Sequence, residues 1–155
     1  MSAAKTSAGD APVAIESLVP HRWPLRLVEE ILERRDGFIR CSGRVPADSP
    51  MAREGRAASV FAIELAAQSA ALLEALVLAD AGNGSEEPRL GYLVSLLGVE
   101  LAASTLPAGE TLVAEVERAG GAAALARYEV KVSSEDGATV HARGTIGTFA
   151  LPAGS

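Results

Sequence analysis

A chain of 155 residues suits one domain with a single core, and its 48% hydrophobic and 22% charged residues are the balance of a soluble globular protein. The formal net charge of −6 argues against a nucleic-acid groove, so no nucleic-acid partner is expected. A single cysteine, Cys41, permits no internal disulfide and fits a reducing, cytoplasmic setting, while aromatics at 4% leave the packing to small side chains.

In chain order, residues 1–11 lack the apolar core of a signal peptide and are expected to form a frayed tail, with one domain over residues 12–151. A short helix comes first. Pro24–Arg35 (PLRLVEEILERR) then reads as a strand that turns at Asp36-Gly37 into a second, Phe38–Val45. There Ile39, Cys41, Gly43 and Val45 alternate with Arg40, Ser42 and Arg44, so one face is buried and one is wet. Ala58–Ala81 (ASVFAIELAAQSAALLEALVLADA) is apolar on nearly every side, the mark of a helix enclosed by other structure. Ser59 is its candidate N-cap, and Gly82-Asn83-Gly84 stops the far end. The segment is long enough for a membrane span, which needs about 20 residues. Yet Glu64, Gln68, Glu74 and Asp80 fall inside it, and an acid near the bilayer centre costs roughly 2.5–3.5 kcal/mol. A helix buried in a soluble fold, with no membrane partner, is the expectation.

Pro88–Ala103 (PRLGYLVSLLGVELAA) is apolar enough for a central strand. Leu112, Ala114 and Val116 form an apolar row beside Glu115 and Glu117. Ala124, Ala126, Tyr128, Val130 and Val132 alternate with Arg127, Glu129 and Lys131, the clearest period-two signal in the chain. Glu135-Asp136-Gly137 turns into a last strand, Ala138–Ala150. The predicted class is α+β: one long central helix wrapped by a curled antiparallel sheet, which satisfies every burial demand at once.

Chemistry concentrates on the helix. An ionised carboxylate among Ala, Val, Ile, Leu and Phe is costly unless it is partnered, so Glu64 is a functional candidate. Gln68, one turn on, either positions Glu64 in a ligand pocket or satisfies it across a dimer interface. Glu74 and Asp80 are expected to point to solvent or an interface. His21 has the near-neutral pKa of a general base, or else it orders the turn between Pro20 and Pro24. His141 reads as a solvated strand position and Cys41 as a small core residue. Two histidines and one cysteine make a metal site unexpected.

Three segments carry a family resemblance. Leu18-Val19-Pro20-His21-Arg22-Trp23-Pro24-Leu25 with Leu27-Val28-Glu29 is similar to the opening L-P-H-R-Y-P-F-x-L-V-D of the 3-hydroxyacyl-carrier-protein dehydratases. Glu64-Leu65-Ala66-Ala67-Gln68 resembles their E-x-x-A-Q, and Pro107-Ala108-Gly109-Glu110-Thr111-Leu112 their P-G-D-x-L turn. The resemblance runs from about residue 12 to residue 150. It looks closest to a divergent bacterial branch that includes dehydratase-like proteins of aryl-polyene gene clusters. It implies the hot-dog fold, acyl thioesters on an acyl carrier protein or coenzyme A as substrates, and a place in fatty acid or polyketide biosynthesis. No cofactor is implied, because the thioester itself acidifies the α-proton. A homodimer or a heterodimer with another hot-dog subunit is expected by analogy.

One departure is plain. Family members carry G-H-F-P ahead of the central helix, and its histidine removes the α-proton while the helix glutamate serves the departing hydroxyl as general acid. Here Asp48-Ser49-Pro50-Met51-Ala52 has no histidine. The resemblance then leaves Glu64 as acid, Gln68 holding it, and His21 or a partner's histidine as base. Ser59 stands where the family has glycine, at a helix start where the backbone of Ser59 and Val60 would polarise the thioester carbonyl. Arg22, Arg53 and Arg56 either cluster to meet a phosphopantetheine phosphate or an acidic carrier, or lie on a solvated loop. Three functions follow: a dehydratase (a lyase), a non-catalytic partner subunit of an active hot-dog dehydratase, or an acyl thioesterase in which Glu64 activates water.

Overall fold

The computed structural model describes residues 14–84, 91–122 and 124–151. The expected tail at residues 1–11 and the first residues of the Pro88 segment, 88–90, lie outside the described residues. A 3₁₀ turn at Ile15–Ser17 leads into strands β1 (Val28–Arg35) and β2 (Phe38–Gly43). A short β3 (Arg56–Ala58) precedes helix α1 (Val60–Asp80). Then come β4 (Gly91–Leu101), β5 (Thr105–Pro107), β6 (Leu112–Ala122), β7 (Leu125–Ser134) and β8 (Val140–Ala150).

Helix α1 forms because its residues are strong helix formers with few competing hydroxyls, and it ends where glycine permits it to. Gly82 adopts φ +75, Gly82 N–H donates to the Ala79 carbonyl and Asn83 N–H to that of Leu78, closing a Schellman turn. The N-terminus departs from expectation. Ser59 makes no side-chain cap, and its own backbone N–H donates to Ser104 instead. By length and composition the helix could cross a membrane, but more than half of its apolar stretch is buried inside the fold. Leu65, Leu72 and Leu73 pack against Ile39, Val116, Tyr128, Val132 and Ile146 from the sheet. Each such side chain contributes about 1.5–3 kcal/mol on burial.

Six strands form one antiparallel sheet in the order β1-β2-β6-β7-β8-β4. All six touch α1, so the sheet wraps the helix, yet β1 and β4 do not meet and the sheet stays open. Bulges in β4 between Leu93 and Ser95 and between Leu97 and Glu100 increase its bend and twist. Close approach of helix and sheet depends on Gly43, where a Cβ would lie 2.3 Å from the Leu27 carbonyl oxygen and 2.7 Å from Leu65 Cδ1.

Three expectations are corrected. Pro24–Leu27 is not strand: Leu25 and Arg26 N–H groups donate to the Arg22 carbonyl, and the strand begins only at Val28. Ser42 is buried rather than wet. Beyond the six expected strands, the fold adds β3 and β5, paired in a separate two-stranded sheet and too short at three residues each to show alternation. The apolar β4 is not central. It lies at the sheet edge, and Tyr92, Leu93, Val94, Leu96, Leu97 and Leu101 are between 41% and 54% exposed. Apolarity alone cannot separate a strand covered by its own chain from one that awaits a cover.

Candidate functional site

Glu64 and Gln68 sit one helical turn apart, so they share a face of α1. That face meets the loop between the 3₁₀ turn and β1. Gln68 is 1% exposed and makes four bonds there. Its Oε1 accepts from Leu27 N–H at 2.9 Å and Val28 N–H at 3.2 Å. Its Nε2 donates to the Leu25 carbonyl at 2.7 Å and to Glu64 Oε1 at 3.1 Å. Across from it, His21 Nε2 lies 3.1 Å from the same Glu64 oxygen.

These donors decide the state of Glu64. The bond from His21 lowers its pKa most and outweighs the opposing effect of burial, with Gln68 adding to the downward shift. Glu64 therefore rests as a carboxylate, and its side chain keeps 38% exposure, so it is neither sealed nor bathed in solvent. His21 Nε2 faces Glu64, and the other ring nitrogen is Nδ1. That atom is buried and has no partner among the described residues. The member of the pair open to the cavity is therefore the Glu64 carboxylate, with His21 Nε2 beside it.

The loop that carries His21 is held by its neighbour. Arg22 donates from Nη1 to the carbonyls of Val19 (2.8 Å) and His21 (2.9 Å), and from Nη2 to that of Glu16 (3.0 Å). Arg26 adds an ion pair to Glu16 at 2.6 Å. Of the residues singled out from sequence, then, Arg22 clasps backbone rather than lining a pocket.

His21 and Glu64 line one cavity of about 250 Å³. Its floor is α1, through Ala67, Ala70, Ala71 and Ala75, and its far wall is the ends of β4 and β8 at Tyr92, Leu93, Thr148 and Phe149. Glu74, expected to point to solvent or an interface, also lines it. Its Oε1 accepts from Tyr128 Oη at 2.5 Å and from Arg118 Nη1 at 2.7 Å. Burial and the adjoining Glu74 carboxylate push the Tyr128 phenol well above its ordinary pKa, so it stays a donor. A signal for Glu74 existed in the sequence: Glu64, Ala67, Ala71, Glu74 and Leu78 alternate spacings of three and four, which is one stripe of a helix. Asp80, by contrast, pairs with Arg34 at 2.5 Å on the surface.

Ser59, Val60, Arg53 and Arg56 do not line this cavity. The Ser59 side chain is buried and that of Val60 exposed. Arg56 donates to Thr105, at Oγ1 (2.7 Å) and at the carbonyl (3.2 Å), and its backbone bridges to Arg53. Arg22 is tied to a different loop, so the three arginines form no common cluster. In Asp48–Ala52, the Ser49 hydroxyl is buried without a partner among the described residues. Cys41 is buried and its thiol is pushed up to about 12, which fits a core role. His141 is half-buried on β8. No group of three His, Cys, Asp or Glu side chains with metal-binding geometry occurs among the described residues.

The family model of the ApeP-like proteins, described as ApeP dehydratase, matches residues 13–153, and the chain belongs to that family. Among solved structures, the dehydratase heterocomplex ApeI:P from Xenorhabdus doucetiae superposes with a TM-score of 0.79 at 21% identity, covering 92% of this chain and 94% of that one. A hypothetical thioesterase from Streptococcus pneumoniae, solved with coenzyme A, gives 0.57 at 16% identity over 79% of this chain and 84% of that one. The PaaI protein of the E. coli phenylacetic acid degradation operon gives 0.56 at 13% over 79% of each. No curated protein sequence matches significantly. The fold is the hot-dog fold: one long helix against an open antiparallel sheet.

Proposed function

We propose that this member of the ApeP-like dehydratases binds 3-hydroxyacyl thioesters in the α1 cavity and removes water from them at His21 and Glu64. The observation that carries the reading is the 3.1 Å contact between His21 Nε2 and Glu64 Oε1 on the cavity wall. It supplies a base in a chain whose Asp48–Ala52 segment has none.

The resting carboxylate changes how the work is shared. Glu64 has no proton to give at the outset, so the proton must come from the substrate. The histidine–carboxylate pair accepts the α-proton, the freed C–H electron pair forms the Cα=Cβ bond, and the Cβ–O bond breaks. The same proton then passes to the departing hydroxyl. An enoyl thioester and water result, with nothing oxidised and no cofactor consumed. A phosphopantetheine arm, on a carrier protein or in coenzyme A, would present the thioester.

A partner subunit belongs to the same reading. A long apolar edge strand with free ladder groups is a template for pairing, and exposed apolar patches of this kind mark interfaces. β4 has both properties, and it forms part of the cavity wall. A second hot-dog subunit along β4 covers it, and the ApeI:P complex is a structural precedent for two different subunits. This also supports the second reading, in which the chain shapes the pocket of an active partner.

The test offers the purified protein, alone and with a histidine-bearing homologue, a 3-hydroxyacyl-carrier thioester and follows products by mass. Enoyl product from the chain alone, lost in Glu64→Gln, supports dehydration here. Turnover only in the mixture, unaffected by Glu64→Gln, assigns the chemistry to the partner, and release of free thiol assigns it to thioester hydrolysis.

A further inference from the structure

The cavity has a second polar end, which dehydration does not use. Ten residues separate Glu64 from Glu74, about 15 Å along the helix at 1.5 Å per residue. Between them the floor is alanine methyls, which leave room for a chain. Resting on the acyl-thioester reading above, we propose that Glu74 is a distal binding subsite that accepts a hydrogen bond from a neutral donor, such as a hydroxyl, at the far end of the acyl chain.

The carboxylate is held for this role. Both of its observed bonds, from Tyr128 Oη and Arg118 Nη1, fall on Oε1, and Oε2 has no partner among the described residues. Tyr128 is fully buried on β7 and Arg118 lies on β6, so two strands fix one carboxylate on a third element. Arg118 balances its charge, which favours a neutral donor over an ammonium group. The Glu74 side chain is 32% exposed, and a chain that ends in methyl against it displaces water from Oε2 and returns nothing. A site built around such an acceptor therefore rejects a substrate that lacks the matching donor. Coming from the helix, Glu74 also shares its stripe with Glu64, so both ends of an extended chain meet the same face.

The test uses two non-hydrolysable S-alkyl pantetheine conjugates long enough to span the cavity, one ending in methyl and one in an ω-hydroxyl. Binding to the full chain is followed by calorimetry. The native protein is expected to bind the hydroxyl-ended conjugate about tenfold or more tightly, the range of one hydrogen bond to a charged group. Glu74→Met, which keeps the length of the side chain, should abolish or reverse that preference. Should this variant fail to fold because Tyr128 loses its acceptor, Glu74→Met with Tyr128→Phe removes the orphaned phenol. Equal binding of the two conjugates by the native protein overturns the subsite and leaves the thioester reading standing. A preference that persists without Glu74 overturns its assignment, and no binding of either conjugate overturns both readings.

Discussion

Replacing Gln68 with methionine tests the frame on which the site rests. Methionine matches glutamine in length and volume, so the change removes hydrogen bonds without opening a cavity. In the structure the Gln68 amide satisfies Leu27 N–H, Val28 N–H and the Leu25 carbonyl, all at the buried entry to β1. Each buried backbone group left unpaired costs about 1–3 kcal/mol. The bond to Val28 is the longer part of a shared pair at 3.2 Å, and the loop relaxes somewhat, so the expected loss is about 3–5 kcal/mol. For a protein of this size that lowers the melting midpoint by roughly 10 °C. Urea titration followed by circular dichroism gives the free energy, and a slope m equal to that of the native protein shows that only stability has changed. A loss below about 1 kcal/mol would refute the claim that one side chain pins the loop to the helix.

Other consequences follow from single contacts. His21→Gln keeps a donor for Glu64 but removes the base, and steady-state turnover is expected to fall about 10²-fold or more with little change in KM. Gly43→Ala drives a methyl into the Leu27 carbonyl and Leu65, so a loss of about 1–3 kcal/mol or more should appear on denaturation. Cys41 should resist Ellman's reagent at neutral pH until denaturant unfolds the chain, because its thiol is buried and its pKa is raised to about 12. Glu64, like exposed Glu16 and Asp136, has a folded pKa below its ordinary value. Its contribution to stability is thus complete above the usual carboxylate pKa of about 4 and fades as pH falls through the folded value. Urea midpoints measured through that acid range should fall less steeply in Glu64→Gln than in the native protein.

The long helix, the hairpin at Asp36-Gly37 and the alternating β7 were legible because each carries a local pattern. Periodicity speaks of which faces are apolar and says nothing of what covers them, which is why β4 looked central and lies at an edge. The start of β1 was hidden for another reason. Pro24–Leu27 is apolar and strand-like in composition, but its backbone groups go to Arg22 and Gln68, and the second of those partners is some forty residues away. Glu64 was legible as an acid set among apolar neighbours. The role of Glu74 was not, since its partners Tyr128 and Arg118 come from strands that only the folded sheet brings together. For the arginines the sequence left a cluster and a solvated loop both open, and only the fold shows that backbone carbonyls claim Arg22 and that Thr105 claims Arg56.

The absence of a histidine in Asp48–Ala52 reads from sequence as damage to a catalytic pair, and the proposed function gives it a different account. A base needs only a fixed position beside the acid, whichever segment delivers it. Here Gln68 binds the loop at Leu25, Leu27 and Val28 while also holding Glu64, and Arg22 fastens the carbonyls of Glu16, Val19 and His21 ahead of that loop's turn. The loop and the acid are therefore referred to one side chain, and His21 arrives within 3.1 Å of Glu64 as a consequence. Stability and site geometry are then a single property of this chain. A substitution at Gln68 that weakens the fold should also loosen the His21–Glu64 contact, whereas Val116→Ala, in the buried core on β6 and outside the cavity lining, should weaken the fold and leave that contact intact. If turnover fell in proportion to stability in both, the coupling through Gln68 would have no special place, and the missing histidine would again be the simpler explanation for a weak enzyme.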